Sequence, residues 1–193
     1  MAQLKQLLVD ELQGMLDAET QLVDALPKMA KAAKAPKVKE AFEKHLMETE
    51  EHVFRLKSAL EMLGEEEAPR ACKAMQALIS EGDETIQKGN SMDPLGADLA
   101  LIAAAQKVEH HEIACYGTAR TLARQLGQIE VAKLLSRTLG EEESADFLLS
   151  AAGDPLLQQA ALEDMGARTN LHDTGKAAPQ KKRSSRQAAS AVA

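Results

Sequence analysis

Ile-Ala-Ala-Ala-Gln-Lys-Val-Glu-His-His-Glu-Ile-Ala-Cys-Tyr, residues 102–116, is the stretch whose reading decides the fold. Steps of seven place Ile102, Glu109 and Tyr116 on one stripe of a helix, with Leu99, Gln106 and Ile113 on the next. Residues at these offsets share a face, so Glu109 falls in the middle of the side that points inward. Glu112 follows one turn later, within reach of Glu109 and Tyr116. Carboxylates are rarely buried without a partner. Two on one inward face call for a proton, a base or a metal.

Similar stripes recur on both sides. Residues 3–33 carry Leu8, Met15, Leu22 and Met29 beside Leu12, Glu19 and Leu26, so Glu19 stands seven residues from a leucine in either direction. Pro27 should kink this helix or distort its last turns, and Ala35-Pro36 ends it. Residues 37–63 form a second helix, closed by Gly64, on which Glu48 lies between His45 and His52. Residues 65–94 are too long for a tight turn; Pro69 to Lys88 reads as a shorter helix, and a crossover results. The third long helix spans 95–126. A fourth spans 129–152, with Glu142 between Leu135 and Leu149 and Asp146 one turn on. Gly153-Asp154-Pro155 should break it, leaving a short helix at 156–165. The expected fold is all-α: a four-helix bundle domain over 1–165, with a long crossover carrying a short extra helix. Residues 166–193 have little to bury and are expected to be a disordered tail.

Composition agrees. Three Phe, one Tyr and no Trp among 193 residues suit helices better than sheets. The net charge is −7, yet Lys176, Lys181, Lys182, Arg183 and Arg186 lie in the tail with no acid beside them. The rest of the chain is therefore more acidic than the total, and a poor nucleic-acid binder. A DNA-tethering role for the tail rests on charge alone, and a solvated tail is the preferred reading. No apolar run reads as a signal peptide or a membrane span. Two cysteines, Cys72 and Cys115, make neither a disulfide framework nor a zinc knuckle, so a reduced, cytoplasmic protein is expected. Cys115 reads as a small core residue.

Each long helix thus puts an acid near the middle of its inward face: Glu19, Glu48, Glu109 and Glu142. His45, Glu112 and Asp146 stand one turn from three of them. His52 is balanced between a ligand and a residue that orients one. The scattered acids Glu11, Glu43, Glu50, Glu51, Glu130 and Glu141 are expected to be solvated, and His110, His111 and His172 to be surface or boundary residues. Oxygen-rich ligand sets with a minority of imidazole suit iron or manganese better than copper, with zinc a weaker candidate. Carboxylates and histidines projecting from four helices form the di-iron arrangement of helical bundles.

Five segments carry a family resemblance: Ala-Glu-Thr-Gln-Leu and Ala-Leu-Pro-Lys-Met-Ala-Lys-Ala-Ala within 18–33, Ala-Phe-Glu-Lys-His-Leu-Met-Glu-Thr at 41–49, Val-Glu-His-His-Glu-Ile-Ala-Cys-Tyr-Gly at 108–117, and Thr-Leu-Gly-Glu-Glu-Glu-Ser-Ala-Asp at 138–146. Over residues 3–165 the chain resembles the YciF/YciE-like family of ferritin-like bacterial proteins associated with stress responses. The resemblance implies a ferritin-like bundle, a di-metal site and a homodimer; it supplies no reaction. Three features depart from the family's pattern. His111 stands where that family usually has tyrosine, and His52 where glutamine is common. No Glu-x-x-His occurs at Glu48 or Glu142, so Asp146 would take the place of a second histidine. An all-carboxylate half-site of that kind favours the oxidised metal.

The sequence therefore points to two iron ions held by Glu19, His45, Glu48, Glu109, Glu112, Glu142 and Asp146, with Glu48 and Glu142 bridging. The expected activity is a ferroxidase-like or peroxidase-like oxidoreductase acting on oxygen, peroxide or Fe(II). The alternative is a non-catalytic, metal-stabilised helical protein that acts by assembly or partner binding.

Overall fold

The computed structural model describes the backbone of residues 2–174 and the side-chain surroundings of residues 2–165. Five helices account for it: α1 (Ala2–Ala32), α2 (Pro36–Met62), α3 (Lys73–Gly89), α4 (Pro94–Gln125) and α5 (Ile129–Thr174). No strand occurs among the described residues. The unit Met1–Ala160 contains the bundle, and a second unit begins at Ala161.

Local chemistry sets the helix ends. Gly64 and Gly127 adopt φ of 69° and 73°, the left-handed region that favours glycine. Each closes a pair of reversed hydrogen bonds: Gly64 N–H to the Glu61 carbonyl with Glu65 N–H to Leu60, and Gly127 N–H to Arg124 with Gln128 N–H to Ala123. Pro36 and Pro94 occupy first-turn positions, where a missing N–H costs nothing. Asp93 caps α4 by accepting the Gly96 N–H at 2.8 Å. The buried carboxylate of Asp98 ties the α1–α2 turn to α4, accepting the N–H groups of Lys34 at 2.8 Å and Ala35 at 2.5 Å.

Contacts along α1 give the chain direction. The segment between α2 and α3 climbs α1: Arg70 N–H donates to the Gln13 carbonyl, and Cys72 N–H to Asp17 Oδ2. Helix α3 continues upward, with Gly82 beside Met29. It therefore runs parallel to α1 and forms the expected crossover. Helix α4 then descends from Asp98, near the top of α1, to Tyr116 beside Glu19. Helix α5 returns antiparallel, Gln106 facing Asp146 and Ile102 facing Gly153. One apolar cluster joins all of them, with Leu12, Phe42, Leu56, Met75, Ile102 and Leu135 among its members. Burial of each such side chain is worth about 1.5–3 kcal/mol.

One expectation fails. Helix α5 does not break at Gly153-Asp154-Pro155 but runs straight through it. Gly153 is buried against α4, where a Cβ would meet Ile102 Cδ1 at 3.4 Å, and Ala152 and Leu156 pack on the core. Pro155 leaves the Ala151 carbonyl without its helical donor, but Ala151 is exposed and water can serve. Packing on this face outweighs the breaker residues. Helix α1, as expected, continues past Pro27, which faces solvent, to Ala32. Residues 175–193, where most of the tail expectation falls, lie outside the described residues.

Candidate metal centre

Halfway along the bundle, all four long helices turn acids or imidazoles toward one another. Helix α1 brings Glu19, α2 brings His45 and His52, α4 brings Glu109 and Glu112, and α5 brings Glu142; all six are buried. They form two groups whose ligand atoms lie within 4.8 Å of each other: His45, Glu109, Glu112 and Glu142, and Glu19, His52 and Glu142. Glu142 belongs to both. Its Oε1 lies 2.8 Å from His52 Nδ1 and its Oε2 3.6 Å from His45 Nε2.

These atoms do not satisfy one another. Both carboxylate oxygens of Glu112 and of Glu142, Oε2 of Glu19 and of Glu109, both nitrogens of His45 and Nδ1 of His52 are buried without a hydrogen bond. Orphaned buried polar atoms cost about 1–3 kcal/mol each, more when charged. A cluster of this size signals a missing positive partner. Two divalent cations would match the four negative charges of Glu19, Glu109, Glu112 and Glu142, with both imidazoles neutral.

The protonation of the metal-free site tells the same story. Burial pushes the Glu109 carboxyl up to about 8; His45 opposes this and Glu142 adds to it. Burial, with Glu142, Glu19 and Glu109 nearby, drives Glu112 well above the usual range. Burial also raises Glu19, against the pull of His52. Burial alone would lower the histidines, but Glu109, Glu48 and Glu142 hold His45 at about 9, and Glu142 and Glu19 hold His52 at about 10. Without metal, the cluster keeps extra protons.

A surrounding layer orients these groups. Tyr116 is fully buried and donates its hydroxyl to Glu19 Oε1, leaving Oε2 for the centre. Glu141 lies 2.9 Å from His52 Nε2. It also accepts from Arg55 and Arg137, and Arg55 reaches Thr138 Oγ1 at 3.2 Å. Partial burial raises Glu141, yet Arg55 and His52 hold it below its ordinary value. An ionised Glu141 only accepts, so His52 Nε2 carries the proton and Nδ1 faces Glu19 and Glu142.

Of the seven ligands expected from the sequence, Glu19, His45, Glu109, Glu112 and Glu142 converge. Glu48 and Asp146 join neither group. Glu48 is half-buried: one oxygen pairs with Lys44, and the other, buried and without a hydrogen bond, lies 3.8 Å from His45 Nδ1. The pull of His45 and Lys44 holds its carboxyl at about 2. Asp146 sits on the α4–α5 seam, accepting from Gln106 at 3.0 Å with His110 3.6 Å away. Glu142, rather than Glu48, occupies the shared position. The sequence reading also missed three residues. Glu141 is a half-buried orienting group rather than a solvated acid. Arg55 is buried one turn beyond His52, a spacing that was available as a signal. Thr49 is fully buried on the stripe between the histidines, its hydroxyl without a hydrogen bond.

Access is narrow. A crevice between α2 and α5, lined by Lys44, His45, Glu48, Glu109 and Leu149, offers about 10 Å³, the limit for a single water. It shares Ala41, Lys44 and Leu148 with a wider surface groove of about 310 Å³. No described helix is long and apolar enough to cross a membrane.

Comparison with known proteins places the chain in a family. Protein YciF of Escherichia coli strain K12 is 43% identical over 134 residues, which is 69% of this chain and 80% of that protein. The crystal structure of the E. coli stress protein YciF superposes with a TM-score of 0.78 at 39% identity, covering 82% of this chain and 99% of the other. YcfI of Rhodopseudomonas palustris, described as a candidate structural protein, follows at a TM-score of 0.72 and 35% identity, covering 76% and 92%. A Xanthomonas campestris protein at 23% identity and a TM-score of 0.63 shares the fold. With residues 3–162 matching its sequence profile, the chain belongs to the family described as Domain of unknown function (DUF892).

Proposed function

We propose that this chain is a di-metal carboxylate protein of the YciF-like stress family, with two iron ions as the preferred occupants. The observation that carries the reading is the set of buried oxygen and nitrogen atoms on Glu19, His45, His52, Glu109, Glu112 and Glu142 that have no hydrogen-bond partner. His45, Glu109 and Glu112 would hold one ion, Glu19 and His52 the other, and Glu142 would span both. Bound iron would supply reversible one-electron chemistry toward oxygen or peroxide, or oxidation of further Fe(II).

The protein's own groups support that use. Tyr116 and Glu141 fix the faces that Glu19 and His52 present. Apolar neighbours such as Leu12, Ile102 and Leu135 keep bulk water out of the bundle. The crevice beside Lys44 and Glu48 suits a species no larger than oxygen, peroxide or a metal ion. Homodimer formation is part of the proposal, supported by the exposed Met47, Phe54 and Phe147 on α2 and α5.

A second reading, metal-stabilised assembly without turnover, is favoured by the structural role suggested for the R. palustris relative. Metal analysis of protein purified from its own host, followed by anaerobic Fe(II) loading and exposure to oxygen or peroxide, tests both. Two ions per chain and Fe(II) oxidation faster than in free solution support the enzyme. Two ions without acceleration support the structural reading, and no bound metal refutes both.

A further inference from the structure

On the flank of α4 that faces α1, two cysteines gather around His111. His111 and Cys115 are spaced i, i+4, so they share one face of α4. Cys72, the residue that begins α3, is delivered to the same face by the connection that climbs α1. Its backbone is pinned there through the N–H bond to Asp17 at 2.7 Å. Cys72 Sγ lies 3.6 Å from His111 Nε2, and Cys115 Sγ lies 3.9 Å from the same nitrogen. Both cysteines are free thiols. All three side chains are half-buried and line a surface trough of about 500 Å³, together with Glu11 of α1.

We propose that Cys72, His111 and Cys115 form a distinct site for a thiophilic divalent cation of the zinc type, with Glu11, which lines the same trough, as the fourth candidate ligand. In a tetrahedral zinc site, bonds of about 2.3 Å to sulfur and about 2.0 Å to nitrogen place the two donor atoms roughly 3.6 Å apart. The two sulfur–nitrogen separations fall close to that edge, while the two sulfurs lie more than 4.8 Å apart, so a cation would draw the Cys72 sulfur inward. The donor chemistry differs from the bundle centre: thiolates and one imidazole select zinc, whereas carboxylates with few imidazoles select iron or manganese. Each thiol gives its proton to solvent as its sulfur takes the cation. With its backbone pinned by Asp17, Cys72 adjusts by rotating its side chain while α4 holds the other two. Arg70, the cation lining the same trough, is engaged by Asp10 at 2.8 Å. Glu11 is left as the trough's other acid.

Cobalt(II) reports this site separately, because only thiolate ligation gives a near-ultraviolet sulfur-to-cobalt charge-transfer band. Titration of the full chain with Co(II) should develop that band to one equivalent, and Zn(II) should then bleach it. Cys72→Ser and Cys115→Ser should each weaken Zn(II) binding there at least tenfold and remove most of the band. Glu142→Gln should leave the band unchanged. In the unaltered protein, Zn(II) should protect both thiols from a disulfide reagent, a readout that survives if a serine variant fails to fold. The proposal is overturned by absence of the band, by a band that persists in both serine variants, or by thiols that react equally fast with and without Zn(II).

Discussion

Glu142 Oε1 lies 2.8 Å from Nδ1 of His52, yet the two atoms are not aligned as donor and acceptor, and both are buried without a hydrogen bond. Neither atom satisfies the other in this geometry. A cation accepts lone pairs from both. The same carboxylate presents its other oxygen to His45 at 3.6 Å, so one side chain from α5 links imidazoles two turns apart on α2.

Glu142→Gln separates the site from the fold. It keeps the shape and removes one charge from a buried cluster of four acids, so the metal-free variant should be at least as stable as the parent near neutral pH. Metal stoichiometry should fall from two ions to one or none per chain, while Glu130→Ala, on an exposed residue paired with Lys133, should change nothing. Elemental analysis and chemical denaturation of the metal-free forms check both halves. Full metal content together with a destabilised metal-free protein would make Glu142 an ordinary structural acid.

Arg55 and Glu141 act on the centre through His52. Glu141→Gln should weaken metal binding by roughly 10–100-fold, the usual cost of losing a residue that orients a ligand. Arg55→Ala removes the buried cation that holds Glu141, and should destabilise the protein by about 3 kcal/mol, at the low end for a buried pair because Glu141 is partly exposed. Competition with a chelator measures the first effect and urea unfolding the second. Unchanged metal affinity in Glu141→Gln would remove Glu141 from the site.

The bundle was legible because four apolar stripes at steps of seven reveal which faces meet. The same stripes flagged Glu19 and Glu142, each between two leucines, and Glu109, between Ile102 and Tyr116, since an acid so placed has nowhere to go but inward. Neighbours in space but not on a stripe stayed hidden. Glu141 is one residue from Glu142, so it points about 100° away around the helix and reads as surface. It is held inward only because Arg55 and His52 wait on another helix. Asp146 failed in the opposite sense: it is on the right face, but one turn on, where Gln106 of α4 meets it first. The meeting of Cys72 with His111 depends on the route of the 63–72 segment along α1, which no periodicity encodes.

Asp98 shows that a buried acid need not belong to the metal. Each of its oxygens accepts a backbone N–H, from Lys34 or Ala35, so the carboxylate is satisfied without a cation. Asp98→Ala should cost about 2–3 kcal/mol by leaving two backbone donors without partners at a helix junction. Metal content should remain that of the parent. A drop in bound metal at retained fold would link this junction to the centre.

The last prediction concerns pH in the metal-free protein. The Glu109 carboxyl rises from an ordinary 4.5 to about 8, and His45 and His52 rise from 6.5 to about 9 and about 10. A group whose folded pKa lies above its unfolded one favours the fold below the unfolded value, and that contribution disappears as pH climbs through the folded value. All three therefore act in one direction: Glu109 loses its contribution between 4.5 and about 8, the histidines between 6.5 and about 9 to 10. Glu48, lowered to about 2, acts oppositely but only below its ordinary 4.5. Metal-free protein should accordingly be most stable in mild acid and weaken steadily from about pH 5 to about pH 9. Bound metal takes the place of those protons, favouring the ionised carboxylates and neutral imidazoles, so Mn(II)-loaded protein should show a flat or rising profile over the same range. Denaturation midpoints across that range, with chelator and with excess Mn(II), decide it. Parallel profiles with and without metal would mean that the buried acids are balanced by the histidines alone, and that no cation is needed among them.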